Sequence, residues 1–564
     1  MKHAITPELK EKKNSSVNSK TIKWFIGSMS LLLIVLLFLL PVIRLFIMSF
    51  KNDDQFSFIN YTTILAEAST WSMLRNTIIV VIGSTLLALV IGITLAWIIA
   101  YTDVRWKKVM QVLIIIPFVI PSYIVTIAWT QFTGSIDFID INLKSHLGII
   151  FVLGTSHFPL VYLFTVNVLK RIPKELEWAV RSSGGSKWVA FKEVTIPLAL
   201  PGIVGGGMIA FLSNLDNFGI PAILGIPANI TVLSTAIYQE VIGFGPNAFA
   251  RAATLSVILA IVALLGSGLQ WFLLKKSKVN ETASVDDSPR YTLGRRKKWL
   301  EIVVWIFLVG ISIIPLVSMV KTSLIRAYGL EFIRENITLK HYRYVLFEYD
   351  KAIQSMGTSL KLALITTIFC IVFGTIIAYI RMRKPSVIMR FVEVIVGFPY
   401  ALPGTVMALS MIFAWMQPIP GWNPGIYGTI WILLIAYITR FMILQVRGSM
   451  TAISQVSMDL EEAAHVFGAN TLDKWKVILL PLLLPGIISG AFLVLLTTLT
   501  ELTVSSLLWS SGTETIGVVI YNFEQSGYTT HSTAFSVVVL AMMLVLALIV
   551  YGIQYVWKWR LNKG

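Results

Sequence analysis

Leu176-Glu-Trp-Ala-Val-Arg-Ser-Ser-Gly184, followed by Ile196-Pro-Leu-Ala-Leu-Pro-Gly202, recurs 284 residues later as Leu460-Glu-Glu-Ala-Ala-His-Val-Phe-Gly468, followed by Leu480-Pro-Leu-Leu-Leu-Pro-Gly486. Outward from this passage the duplication continues. Ile116-Pro-Phe-Val-Ile-Pro121 matches Gly397-Phe-Pro-Tyr-Ala-Leu-Pro403, with Pro117 over Pro399 and Pro121 over Pro403, 282 residues apart. Gly92 over Gly374 and Ala96 over Ala378 keep the same spacing. A duplicated unit fixes the architecture before any single element is assigned. The two prolines four residues apart predict a kink at matched depth in each half.

The unit that repeats belongs in a membrane. Of 564 residues, 56% are hydrophobic and only 13% charged, which is not a soluble composition. Twelve apolar stretches are long enough to cross a bilayer, at about 25–49, 75–100, 109–131, 148–169, 199–222 and 251–274, then about 299–321, 357–381, 388–415, 427–446, 483–508 and 534–557. The sequence therefore predicts an all-α membrane protein of twelve transmembrane helices in two parallel six-helix repeats. Parallel repeats imply a pseudo-two-fold axis along the membrane normal and a pathway between the halves, which argues for a transporter. The first stretch exceeds a signal-peptide apolar region and lacks a small-residue cleavage site after it, so it is expected to be retained.

Lys and Arg near span ends set the orientation. Lys2, Lys10, Lys12, Lys13, Lys20 and Lys23 put the N-terminal tail, 1–24, in the cytoplasm, together with Arg105, Lys107 and Lys108. The segment 275–298, basic and mixed with Ser, Thr and Pro, reads as a flexible cytoplasmic linker between a first repeat over 25–274 and a second over 299–557. An even number of spans returns the tail at 558–564 to the cytoplasm. The formal charge of +17 is thus expected in cytoplasmic loops, with no nucleic-acid partner. The single cysteine, Cys370, excludes an intramolecular disulfide and a Cys-rich metal site. No GxxxxGK[ST] loop and no HExxH spacing is present, so neither an enzymatic activity nor a cofactor is expected, and energy must come from another chain.

Between spans ten and eleven, Glu461 to Phe467 favours helix, Gly468 can close it in a left-handed turn, and Asp473-Lys-Trp-Lys-Val-Ile restarts a helix up to Pro481. This passage resembles the E-A-A-x3-G-x9-I-x-L-P signature of permease subunits of bacterial binding-protein-dependent ABC importers. Glu462, Ala463, Ala464, Gly468, Ile478, Leu480 and Pro481 fill its positions. The resemblance implies the type I importer permease fold in the bacterial inner membrane. It implies coupling loops at 170–198 and 447–482 seated on two copies of a cytoplasmic ABC ATPase, and an extracytoplasmic substrate-binding protein that selects the cargo. It also implies that Glu462 pairs with a basic residue of the ATPase while Ala463 and Ala464 allow close approach.

The first copy departs from the signature. Aligned on Gly184, the Glu-Ala-Ala becomes Trp178-Ala179-Val180. Glu177 stands one residue early, about 100° around a helix, so that Ala179 and Gly184 transfer more directly than Glu177 does. The second loop is accordingly expected to couple more strongly, with Gly468→Asp more damaging than Glu177→Ala.

The fused arrangement resembles the branch that includes ferric iron, thiamine, polyamine, phosphonate and sulfate permeases. Asp216-Asn-Phe-Gly-Ile-Pro-Ala-Ile-Leu-Gly225 and the passage from Glu501 to Ile516 look most like the ferric iron permeases. Carboxylates inside a membrane are costly unless they face protein or water, so Asp216, Asn217 and Glu501 are pathway candidates. An interfacial or inter-helix hydrogen-bonding role is the alternative. With Glu514, these carboxylates suit a hard cation. Thiamine is the alternative cargo; an ion-coupled secondary transporter and a non-transporting membrane scaffold are the alternative classes.

Overall fold

The computed structural model describes residues 27–52, 55–135, 141–243, 245, 247–275, 286, 288–416 and 424–563, of which residue 52 and residues 558–563 are described in backbone only. The N-terminal lysines, much of the linker and the C-terminal charges lie outside the described residues or side chains. Nine helices of the first half have nine counterparts in the second. They are α1 Gly27–Ser49, α2 Ala68–Tyr101, α3 Lys107–Val119, α4 Ser122–Gly134, α5 His146–Leu169, α6 Lys174–Ser182, α7 Lys187–Asp216, α8 Leu233–Gly243 and α9 Ala248–Leu274. Their counterparts are α10 Gly294–Ser323, α11 Asp350–Arg383, α12 Val387–Ala401, α13 Gly404–Trp415, α14 Ile430–Ser454, α15 Met458–Val466, α16 Thr471–Leu499, α17 Ile516–Gln525 and α18 Thr529–Trp557.

Among the described residues, ten helices are long and apolar enough to cross a membrane unbroken. The third span of each half is a bent pair instead. Helices α3 and α4 meet at 104°, and α12 and α13 at 110°. The elbows fall at Ile120-Pro121 and Leu402-Pro403, where a residue preceding proline is pushed out of the helical region. Ten unbroken spans and these two elbows would make the twelve expected from sequence, and a third bent pair, Pro221–Ala228 with Leu233–Gly243 at 75°, brings the candidates among the described residues to as many as thirteen; each elbow in the third spans is a break of more than 100° rather than a kink.

The fifth and eleventh spans also end earlier than predicted. Helices α7 and α16 stop at Asp216 and Leu499, where polar residues take over. At the other end they continue from the short hairpin helices without interruption. The helix does not close at Pro481, because widened turns at Phe191–Thr195 and Lys474–Leu479 precede Pro197 and Pro481 and relieve the clash with the preceding carbonyl.

The halves exchange their first helices. Phe38 and Leu45 of α1 pack in one core with Val406 to Trp415 of α13, while Val304, Leu308 and Ile311 of α10 join Tyr123 to Trp129 of α4 in the other. Every residue of α13 is buried. A helix apolar on all sides needs neighbours on all sides, and the exchanged helix supplies one of them. Within each half, Gly92 and Gly374 allow the second span to touch the fourth. A Cβ on Gly92 would stand 2.6 Å from that of Val161, and one on Gly374 would stand 3.0 Å from Gln445.

Candidate functional site

Each half carries a hairpin between its fourth and fifth spans, α6 turning into α7 and α15 turning into α16. The turns are made at Gly184, with φ +88°, and Gly468, with φ +78°, a conformation that glycine adopts without steric cost. In both hairpins a backbone N–H just past the helix closes the turn, Gly185 onto the Val180 carbonyl and Ala469 onto the Ala464 carbonyl, each at 2.9 Å. Glu462 and Ala463 face outward, whereas Ala464 is buried. Around them Val466 and Phe467 are 84% and 89% exposed. The first hairpin shows Ala179, Trp178 and Trp188 in the same way.

The glutamate one residue earlier has the opposite environment. Glu461 is buried, and its carboxylate accepts hydrogen bonds from Tyr379 Oη at 2.7 Å, Arg383 Nε at 2.6 Å and Lys474 Nζ at 2.9 Å. Burial raises its pKa, but these donors outweigh burial and hold the carboxyl below its ordinary value. Glu177 occupies the corresponding place in the first hairpin. It is 4% exposed and accepts from Arg290 Nη1 at 2.8 Å, Thr195 Oγ1 at 2.8 Å and Tyr291 Oη at 3.1 Å. Glu177 is therefore the counterpart of Glu461, not of Glu462, and it is turned away from the outward face. The 100° rotation has this consequence, and Trp178 takes the exposed position. Truncation in Glu177→Ala would leave Arg290 buried without its carboxylate, so this variant is now expected to be damaging rather than mild.

The donor Arg290 comes from the segment read as a flexible linker. Its described end is folded. Arg290 N and Tyr291 N donate to the Tyr101 carbonyl at 2.8 and 2.9 Å, Leu293 N donates to Asp103 Oδ1 at 3.0 Å, and α10 already begins at Gly294.

On the far side of the hairpins, a cavity of about 300 Å³ lies between the halves, lined by both elbows and by Asp216, Tyr400, Arg440, Thr500 and Glu501. Asp216, at the end of α7, forms an ion pair at 2.6 Å with Arg440 of α14. The Gly404 N–H donates to the other oxygen of Asp216, and Arg440 Nη1 donates to the Leu402 carbonyl at 3.2 Å. The pair thus joins the two halves at the elbow of α12 and α13. Arg440 is a lone charge within an apolar span, a signal in the sequence as telling as a carboxylate there.

Asn217 and Glu501, matched in the repeat, do matched work. Asn217 Oδ1 accepts from Ile220 N at 3.0 Å, and the two Glu501 oxygens accept from Val504 N and Ser505 N at 2.7 and 2.9 Å. Both cap the chain as it turns after the fifth span of its half, the hydrogen-bonding role given above as the alternative, while both also line the cavity. Glu514 is not at this cavity. It lines another recess with Tyr349, Trp509 and His531, where it accepts from Gly512 N at 2.9 Å.

An inter-half cavity and two outward-facing hairpins at matched positions accord with what known proteins show of this sequence. The ferric transport system permease protein FbpB of Actinobacillus pleuropneumoniae is 23% identical over 543 residues, covering 93% of this chain and 78% of that protein. The Fe(3+)-transport system permease protein FbpB 2 of Haemophilus influenzae is 24% identical over 524 residues, 92% of this chain and 96% of its own. The molybdenum transport system permease protein ModB of Escherichia coli K12 is 28% identical over 194 residues, which are 32% of this chain and 85% of that protein. The family model of the binding-protein-dependent transport system inner membrane component matches twice, over residues 88–278 and 370–563, once in each half of the repeat. The chain belongs to that family and is a two-repeat, multi-pass permease of an ABC importer.

Proposed function

We propose that this permease imports ferric iron, driven by two copies of an ATPase subunit seated on its two hairpins. In this reading both termini and both hairpins, within 170–198 and 447–482, face the cytoplasm, and a binding protein delivers cargo at the opposite face. The observation that carries the docking role is the apolar surface of the hairpins. Val466 and Trp178 are exposed on the short helices α15 and α6, Phe467 just past the end of α15 and Trp188 in the first turn of α7, where the rest of the chain leaves them uncovered. Glu462, Ala463, Ala464 and Gly468, with Ala179 and Gly184 in the first copy, form the contact; Glu177 acts from beneath it.

Iron as the cargo is supported by the two ferric transport relatives, which align with more than nine-tenths of the chain. The cavity chemistry is compatible with it. Asp216, Glu501, Tyr400 and Thr500 line the path with oxygen atoms, the donor type preferred by hard cations. Arg440 neutralises Asp216, which keeps the site from holding a cation too tightly to release it.

Uptake of labelled ferric iron, thiamine and molybdate, in cells with and without the gene and limited for each, tests the cargo. Loss of iron uptake alone is expected on deletion. Loss of thiamine or molybdate uptake with iron unchanged would reassign the cargo and leave the fold and hairpins standing.

Docking is tested at Gly468. Its Cβ would meet nothing within 4 Å, so Gly468→Asp costs only the left-handed backbone, about 1–2 kcal/mol, and places a charge at the hairpin tip. The variant should reach the membrane at normal levels yet fail to retain the ATPase on gentle solubilisation. Full retention with normal uptake would remove the hairpin from the coupling interface.

A further inference from the structure

The two buried glutamates share an arginine and a tyrosine contact drawn from different parts of the chain, while the third donor differs, Lys474 to Glu461 and Thr195 to Glu177. In the second half Arg383 spans two acceptors: its Nε donates to Glu461 at 2.6 Å and its Nη2 to the Val456 carbonyl at 2.7 Å. In the first half Arg290 spans the equivalent two, Glu177 through Nη1 at 2.8 Å and the Ile172 carbonyl through Nη2. Ile172 precedes Glu177 by the same five residues that separate Val456 from Glu461. The hydroxyl of Tyr379 donates to Oε2 of Glu461, and the hydroxyl of Tyr291 donates to Oε2 of Glu177.

Arg383 and Tyr379 lie on the second span, α11. At the repeat spacing of 282 residues, the first half has Tyr101 and Trp97 in their places, and neither can supply the charge. Lys474, the remaining cation of the second cage, corresponds to Ala190 at the spacing of 284. The first half thus has none of the three side chains that hold the buried carboxylate of the second, and from its own residues Thr195 Oγ1 donates to Glu177 at 2.8 Å. Arg290 and Tyr291 settle on the first-half residues at the matched positions: the Arg290 guanidinium lies 4.1 Å over the ring of Tyr101, and Tyr291 stacks on Trp97 at 5.7 Å. Arg290 and Glu177 are each only 5% exposed in their side chains.

We propose that Arg290 and Tyr291 are positioning residues of the first coupling hairpin, standing in for Arg383 and Tyr379 and making the inter-repeat segment a working part of that hairpin. The inference rests on the reading that the hairpins dock the ATPase. It adds that the first hairpin is seated by the segment that leads directly into α10, the helix packed on α4 of the first half. The seat of the first hairpin is thereby tied to the first helix of the second half, whereas, among the described residues, the donors to Glu461 in the second hairpin all belong to its own half. A duplicated permease made of two separate chains would have no such tie.

The test uses the full permease–ATPase complex with its binding protein in lipid nanodiscs, following amide exchange in both hairpins and ATP hydrolysis with and without the binding protein. Arg290→Ala should raise exchange across Lys174–Ser182 by about tenfold, leave Met458–Val466 unchanged, and bring stimulated hydrolysis close to the basal rate. Tyr291→Phe keeps the stacking and loses one hydrogen bond, so a rise of about threefold in the same segment is expected without risk to folding. Rebuilding the second-half cage in the first, with Tyr101→Arg and Ala190→Lys in the Arg290→Ala chain, should restore both readouts. A rescue of that kind is not expected of a residue that merely stabilises the fold. Unchanged exchange at 174–182, or an equal rise in both hairpins, overturns the proposal and leaves the docking reading standing. A loosened first hairpin with normal stimulated hydrolysis overturns the docking reading and the proposal with it.

Discussion

Asp216→Ala is expected to abolish uptake and to destabilise the chain by about 3 kcal/mol, because it removes the ion-pair partner of the buried Arg440 and leaves it the Leu402 carbonyl and the more distant Glu501 carboxylate. Arg440→Ala should be milder for folding. Asp216 is the more exposed of the two, at 35% against 6%, and it keeps the Gly404 N–H. The pair Asp216→Leu with Arg440→Met separates stability from function. Replacing a buried ion pair by apolar side chains of similar size is often neutral or stabilising, so the double variant should recover resistance to unfolding in detergent. Uptake should stay lost, because the ionic contact between the halves at the α12–α13 elbow is gone. Uptake restored along with stability would show that the pair only holds the fold together.

The elbow and the ion pair also mark how far the sequence could be read. Paired prolines at 117 and 121, and at 399 and 403, announced a break in each third span, since proline restricts the residue before it whatever surrounds it. The size of the break depends on tertiary partners. In the second half the Asp216 carboxylate meets the Gly404 N–H across 188 positions of chain, which no local pattern predicts. The same holds for Glu177. Helical periodicity correctly placed it about 100° from the motif position, but which face was outward depended on Arg290, 113 residues away. Composition made 275–298 look like a tether, yet its described end, 288–298, is docked. The docking is made by backbone N–H groups on the Tyr101 carbonyl, to which composition is blind. Gly468 was legible for the converse reason, as a left-handed turn after a short helix is a local demand that glycine meets by itself.

Adjacent glutamates in the second hairpin should give opposite phenotypes. Glu461→Ala removes the carboxylate shared by Arg383 and Lys474, whose side chains are only 10% and 14% exposed, and leaves two cations facing each other. The hairpin should lose about 3–5 kcal/mol of local stability, visible as faster amide exchange over Met458–Val466. The contribution of Glu461 has a defined pH range. Its folded-state pKa lies below the ordinary value, so the stabilisation is complete above the unfolded carboxyl range, about 4.3, and is lost as pH falls through the lower folded-state value. Exchange in this hairpin should therefore be flat from about pH 8 to pH 5 once corrected for intrinsic rates, and should rise only in stronger acid. Glu462 is exposed, and Glu462→Ala should change hairpin stability by less than about 0.5 kcal/mol. Its effect should be on ATPase retention and stimulated hydrolysis. If Glu461→Ala leaves exchange unaltered, the buried cage is not what seats the hairpin. If Glu462→Ala retains the ATPase as well as the unaltered chain does, the motif glutamate has no share in the contact, and the exposed apolar tip at Val466 and Phe467 carries it alone.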